Sequence, residues 1–186
     1  MMMPLKTVTG RDIAALLNPR LAVLVTCCDL ENKPNILTVA WHTPLAHRPP
    51  LLGISIGHTR YSHALIKERG EFAVNIVGQS LLEAVKICGM YTGEIDDKLD
   101  ITHLGIRQAA HIHPPVLEDA VGVLECQVVD QVEAGDHTFF VGQVLLAQAR
   151  EDCFSNVWSD AAVLQCLQRD QYGTFLGING NGRAPF

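Results

Sequence analysis

Long apolar stretches are missing from this chain. Its longest runs, residues 21–25 and 144–147, fall far short of the roughly 20 residues a bilayer-crossing helix needs, and no basic flank with an apolar signal region opens the sequence. The expectation is a cytoplasmic protein with no membrane partner. Basic clusters are missing too: 20 acidic residues against 14 basic ones leave a formal charge of −6, and no Lys/Arg block supplies the footprint of a nucleic-acid binder. No C-x-x-C pair occurs among Cys27, Cys28, Cys88, Cys126, Cys153 and Cys166, so these read as reduced packing residues rather than a disulfide framework.

Metal ligands are equally sparse. A metal centre wants three or four convergent ligands, whereas His111-x-His113 offers a pair beside a proline, and adjacent Cys27 and Cys28 point to opposite strand faces. No metal is expected. A Gly-x-Ser-x-Gly elbow is absent, which leaves Cys88, before Gly89, as a minor nucleophile candidate. A Gly-x-Gly-x-x-Gly fingerprint is absent as well, but a nicotinamide can bind transiently without a Rossmann domain, so this excludes less.

What is present suits one compact unit: 48% hydrophobic and 18% charged residues in 186 positions give enough apolar surface for a sizeable core. The reading is a single domain over 1–186, with its core at about 21–150 and a tail at 151–186. Residues 9–18 can open as a short helix with Ile13, Leu16 and Leu17 on one face and Pro19 behind it. Residues 21–28 and 35–41 then read as strands of a hairpin around a turn at 29–34, and 42–50 as a loop that breaks pairing. Residues 51–56 and 71–76 supply two more strands, flanking a helix from about Ser62 to Arg69 that stops at Gly70. Ser80 to Glu83 has a capping-box pattern ahead of a helix to about Cys88, followed by an ordered loop over 89–100. Two long strands, 120–132 and 137–149, form a second hairpin around Gly135 and Asp136, with Leu124, Cys126 and Val128 on a core face and Glu125 and Gln127 on a wetter one. The helices interrupt β structure without making regular βαβ crossovers, so the expected fold is mainly β: a closed antiparallel barrel with a few peripheral helices.

Chemistry concentrates where a helix begins. Arg60, Tyr61, Ser62 and His63 lie at a strand-to-helix junction, where first-turn N–H groups lack intrahelical partners and the dipole is positive, so an adjacent guanidinium and hydroxyl favour a phosphate. The plainer reading is that Ser62 is an N-cap beside a solvated Arg60. Asn35, Thr38, Ala40, Trp41 and His42 line the second strand and its exit, where Trp41 can wall a planar ring or simply pack in the core. His137, after Gly135-Asp136, either donates to a ligand oxygen or merely starts a strand. Lys98, after Asp96-Asp97, either adds a cation to a site or belongs to an exposed charged loop.

Taken in order, Asn35…Trp41, Arg60-Tyr61-Ser62-His63, Gly70-Glu71-Phe72-Ala73-Val74-Asn75, Cys88-Gly89…Gly93…Asp97-Lys98 and Gly135-Asp136-His137-Thr138…Val141-Gly142 resemble the flavin reductase-like family, most nearly its flavoredoxins. The resemblance covers roughly residues 21–150. It implies a Greek-key, FMN-binding split barrel, usually a homodimer. It also implies an FMN site of Asn35, Thr38, Ala40, Trp41, Arg60, Ser62, His63, Lys98 and His137, with Tyr172 as an aromatic wall; Phe175 is the other tail aromatic that fits. Ser62 stands where relatives often carry Thr and keeps the hydroxyl. The function implied is electron transfer through FMN, with NAD(P)H as transient co-substrate and a redox protein or oxygenase as partner. A flavoredoxin-like carrier, a non-catalytic flavin-binding module and a barrel for another phosphorylated ligand stay open as alternatives.

Overall fold

A computed structural model describes residues 3–10, 12–155, 158, 163–168 and 171–174. The chain opens with α1 (Asp12–Ala15), β1 (Arg20–Leu21), β2 (Val23–Cys28), β3 (Pro34–Val39), β4 (His42–His47) and β5 (Pro50–Gly57). Next come α2 (Tyr61–Arg69), β6 (Glu71–Ile76), a 3₁₀ turn (Gln79–Leu81), α3 (Leu82–Met90) and α4 (Lys98–Thr102). It ends with β7 (Ile106–Arg107), β8 (Val116–Leu117), β9 (Gly122–Ala134), β10 (His137–Ala149), β11 (Leu164–Gln168) and β12 (Gln171–Thr174).

Seven strands form the main sheet in the order β3-β2-β6-β9-β10-β5-β4, every pair antiparallel. Its two outer strands, β3 and β4, are separated in sequence only by Ala40 and Trp41, so the sheet must curl until its edges meet. They are joined by chain rather than by a ladder. The Trp41 carbonyl accepts from Ser55 N at 2.9 Å, which seats the crossing on β5. This is a split barrel rather than a fully closed one: β3 and β4 make no ladder with each other, and residues 40–41 link them.

The barrel interior holds Val23, Val25, Cys27, Ile54, Ile56, Phe72 and Phe140, with Leu65 and Ile66 of α2 plugging one end. Full burial of each large side chain contributes about 1.5–3 kcal/mol. A second cluster sits outside β2 and β3, where Ala22, Leu24 and Ile36 meet Ala84, Val85 and Cys88 of α3. Because β2 serves both cores, all six of its residues are buried, and an apolar/polar alternation never arises there.

Several expectations are corrected. The opening helix shrinks to four residues, and Ile13, Leu16 and Leu17 are exposed rather than turned to a core. Residues 42–47 are not a pairing-breaking loop but β4, an edge strand that tolerates Pro44 with a register shift between Pro44 and Ala46. Ser80 caps nothing: it lies in the 3₁₀ turn, and α3 starts from Leu81 without a side-chain cap. The helix also runs on to Met90, and α4 begins within what reads as loop. Glu125 does not face water. It is 2% exposed, its two oxygens accepting from Ala110 N (2.9 Å) and His111 N (2.7 Å), because the segment carrying Ala109 and Ile112 folds over that side of β9. The helix stop is as expected: Gly70 takes φ 74° and its N–H returns to Ile66 O.

Candidate functional site

One junction gathers β3, α2, α3 and α4. Arg60 is the N-cap residue of α2 and makes no side-chain cap bond, so the N–H groups of Tyr61 and Ser62 lie before the first intrahelical bond. Its guanidinium is exposed and reaches Gly89 O at the end of α3 (3.3 Å). Ser62 turns inward instead: it is 2% exposed and accepts a 2.6 Å hydrogen bond from Asn35 Nδ2, with Cys27 beside them. Gly93 presses the following loop onto Asn35 so closely that an added Cβ would sit 1.9 Å from Asn35 Oδ1.

Lys98 completes the junction. Asp97 caps α4 by accepting from Leu99 N (3.1 Å) and Asp100 N (3.2 Å), which fixes the chain so that Lys98 enters the protein and is 4% exposed. Burial holds its ammonium below the usual lysine range; Cys88, Cys27 and Asp96 oppose the shift and Arg60 adds to it. Among the described residues, neither Lys98 nor Arg60 is in an ion pair with a carboxylate. A cavity of about 140 Å³ opens against Asn35, Gly93 and Lys98, with Lys33, Glu94, Asp96 and Asp97 also on its wall; Arg60 and Ser62 lie outside its lining. The thiols are structural: burial pushes Cys88 up to about 11 and Cys27 to about 12, so Cys88 is no nucleophile at neutral pH.

Trp41 lies where the barrel is split. It is 42% exposed and stacks on His137 of β10 with ring centroids 4.9 Å apart, while His137 Nδ1 meets Asp136 Oδ1 at 2.6 Å. An open groove of about 650 Å³ runs along this side between Leu17, Leu21, Trp41, Thr43 and Phe139, with Arg20 on its wall. His42 also lines it, but its Nε2 is spent on Leu21 O (2.9 Å), and burial lowers its pKa.

The structure thus brings Asn35, Arg60, Ser62 and Lys98 to one junction and Trp41 and His137 to one face. Thr38, whose hydroxyl donates to Val85 O (2.5 Å), and half-buried Ala40 lie on the stretch between. His63 points to Thr138 of β10. Tyr172 stands apart, on β12 against the second core cluster, and Phe175 lies outside the described residues. Glu133 went unnoticed in the sequence, and Gly93 and Thr138 figured there only within the motifs that carry the resemblance, although a glycine between α3 and Lys98 permits close backbone approach.

A model of the flavin reductase like domain matches residues 17–166. The chain belongs to this family. It is 42% identical over 113 residues to an uncharacterised protein of Archaeoglobus fulgidus, an overlap of 61% of this chain and 64% of that one. It is 29% identical over 119 residues to a Rhodococcus opacus protein named as the reductase component of a 4-nitrophenol 4-monooxygenase/4-nitrocatechol 2-monooxygenase, covering 64% of this chain and 60% of that one. Among solved structures it superposes on an FMN-binding protein from Thermus thermophilus (TM-score 0.83, 22% identity, 93% of this chain and 96% of that one). It also superposes on flavoredoxin of Desulfovibrio vulgaris (TM-score 0.81, 23% identity, 99% and 98%). These two likenesses show the fold, a flavin reductase-like split barrel. No helix among the described residues is long and apolar enough to cross a membrane.

Proposed function

We propose that this chain binds FMN and acts as a flavin-dependent oxidoreductase, passing electrons from NAD(P)H or a reduced redox protein to an acceptor. The observation that carries the reading is Lys98: a nearly buried ammonium, beside Arg60 and the open first turn of α2, with no carboxylate ion pair among the described residues. Burying an uncompensated charge costs several kcal/mol, and a phosphate dianion offsets that cost at Lys98 while pairing with the exposed Arg60. The donor set therefore fits a mononucleotide phosphate.

Bound FMN would supply the hydride and single-electron chemistry. The protein's part is binding and access. Arg60, Lys98 and the amides of Tyr61 and Ser62 hold the phosphate, Asn35 and Ser62 lock the junction beneath it, and Trp41 and His137 wall the ring. Thr38 and Ala40 line the way between, and His63 braces the turn from the β10 side. Two protomers pair as a homodimer, which is where Tyr172 can reach a flavin. An oxygenase partner is suggested by the Rhodococcus relative, a monooxygenase reductase component, and a redox-protein partner by flavoredoxin.

Titration of the purified protein with FMN, followed by anaerobic NADH, NADPH or a reduced redox protein, tests this. The expected result is bound flavin absorption that bleaches with at least one donor. Bleaching with the redox protein alone assigns a carrier, and flavin that no donor bleaches a binding module. Failure to take up FMN overturns the reading and favours another phosphorylated ligand.

A further inference from the structure

The tip of the β9–β10 hairpin touches both sides of this site. His137 turns outward to Trp41, and the next residue, Thr138, is fully buried and turns inward to α2. His63 Nε2 lies 2.8 Å from Thr138 Oγ1, Thr138 Oγ1 lies 3.1 Å from Glu133 Oε2, and His58 Nε2 lies 3.0 Å from the same Glu133 oxygen. Lys67 adds a longer approach to Glu133 (3.8 Å), and His58 N donates to Asp136 O (3.0 Å). The tip is thereby fastened to the segment that delivers Arg60.

Donor bookkeeping gives this chain a direction. An ionised carboxylate accepts only, so the single Thr138 proton goes to Glu133, and Thr138 can then only accept from His63. His63 must carry its proton on Nε2. We infer that Glu133 and Thr138 are positioning residues for the cofactor's phosphate end: they fix His63 as the Nε2–H tautomer and so hold the first turn of α2 in its ligand-ready place. The functional half of this rests on the FMN reading above; the tautomer does not.

Burial, with His58 and Lys67 alongside and only Glu133 opposing, keeps His63 below the usual histidine range, so it is neutral at pH 7.5. Histidine ¹⁵N shifts of the ligand-free protein at that pH read the tautomer directly. The wild type should show Nε2–H. Glu133→Ala removes the acceptor, so the Thr138 proton turns to His63 Nε2 and His63 shifts toward Nδ1–H. Thr138→Val removes both bonds at constant shape and should weaken FMN binding roughly three- to tenfold, with Thr138→Ser restoring it. A wild-type Nδ1–H signal, no response to Glu133→Ala, or undiminished FMN affinity in Thr138→Val would overturn the inference. If the wild type takes up no FMN, the cofactor reading fails, and the ¹⁵N shifts of the ligand-free protein alone decide the assignment.

Discussion

The two ends of the site are built differently. Around Lys98 the protein is closed: Asn35, Ser62 and Lys98 are all at most 5% exposed, Gly93 leaves Asn35 no room to turn, and Asp97 fixes the entry of α4. Around Trp41 it is open: the indole is 42% exposed, the adjacent groove holds about 650 Å³, and the neighbouring Leu17 is 66% exposed. A rigid, charged end suits recognition of an invariant phosphate, because its groups reorganise little on binding. An open, half-apolar end suits the step in which donors and acceptors come and go. The difference implies that affinity is set at the Lys98 end and reactivity at the Trp41 end.

Breaking the closed end should give the largest effect. Lys98→Met removes a charge-assisted contact worth about 1.5–3 kcal/mol, so FMN binding should weaken roughly tenfold to a hundredfold in a fluorescence titration. The same change should leave the ligand-free protein at least as stable, since a methionine needs no anion. It also sharpens a pH dependence. The folded-state pKa of Lys98 lies below the ordinary 10.5, so between the two values the unfolded chain binds more protons and stability rises with pH. That contribution should vanish in Lys98→Met. Buried Cys27 and Cys88 act in the opposite sense at alkaline pH, and because Lys98 holds both thiols down, their opposing contribution grows in Lys98→Met.

Gly93→Ala tests rigidity without touching charge. Its Cβ must displace Asn35, and with it Ser62, so overpacking should cost about 1–3 kcal/mol in a chemical melt and weaken FMN as well. Trp41→Ala should do least to affinity, about 0.5–1.5 kcal/mol for a lost stacking partner, while changing the rate of flavin bleaching by the donor in stopped flow. A Trp41 effect on affinity larger than that of Lys98 would invert the comparison.

Local signals made much of this legible. The apolar run of β2, the stop at Gly70, the Gly135-Asp136 hairpin and the strand-to-helix junction at Arg60 are each written in adjacent residues. What escaped was nonlocal. Lys98 reads like any lysine in an acidic loop until α4 is seen turning it inward. Glu125 reads as solvent-facing until a segment 14 to 15 residues earlier covers it. β4 hides behind Pro44 because an edge strand can spare an N–H, and the link from Glu133 through Thr138 to His63 depends on a hairpin tip meeting a helix 75 residues away. Ser62 shows both sides: its position at the junction was readable, yet its hydroxyl serves Asn35 rather than standing free.

A crystal structure of the protein with FMN tests the central claim most directly. The phosphate should lie at the first turn of α2 with oxygens within about 3 Å of Arg60 and Lys98, and the ring should extend toward Trp41. A phosphate bound away from Lys98, with the ammonium still facing Cys88, Cys27, Asp96 and Arg60, would contradict it.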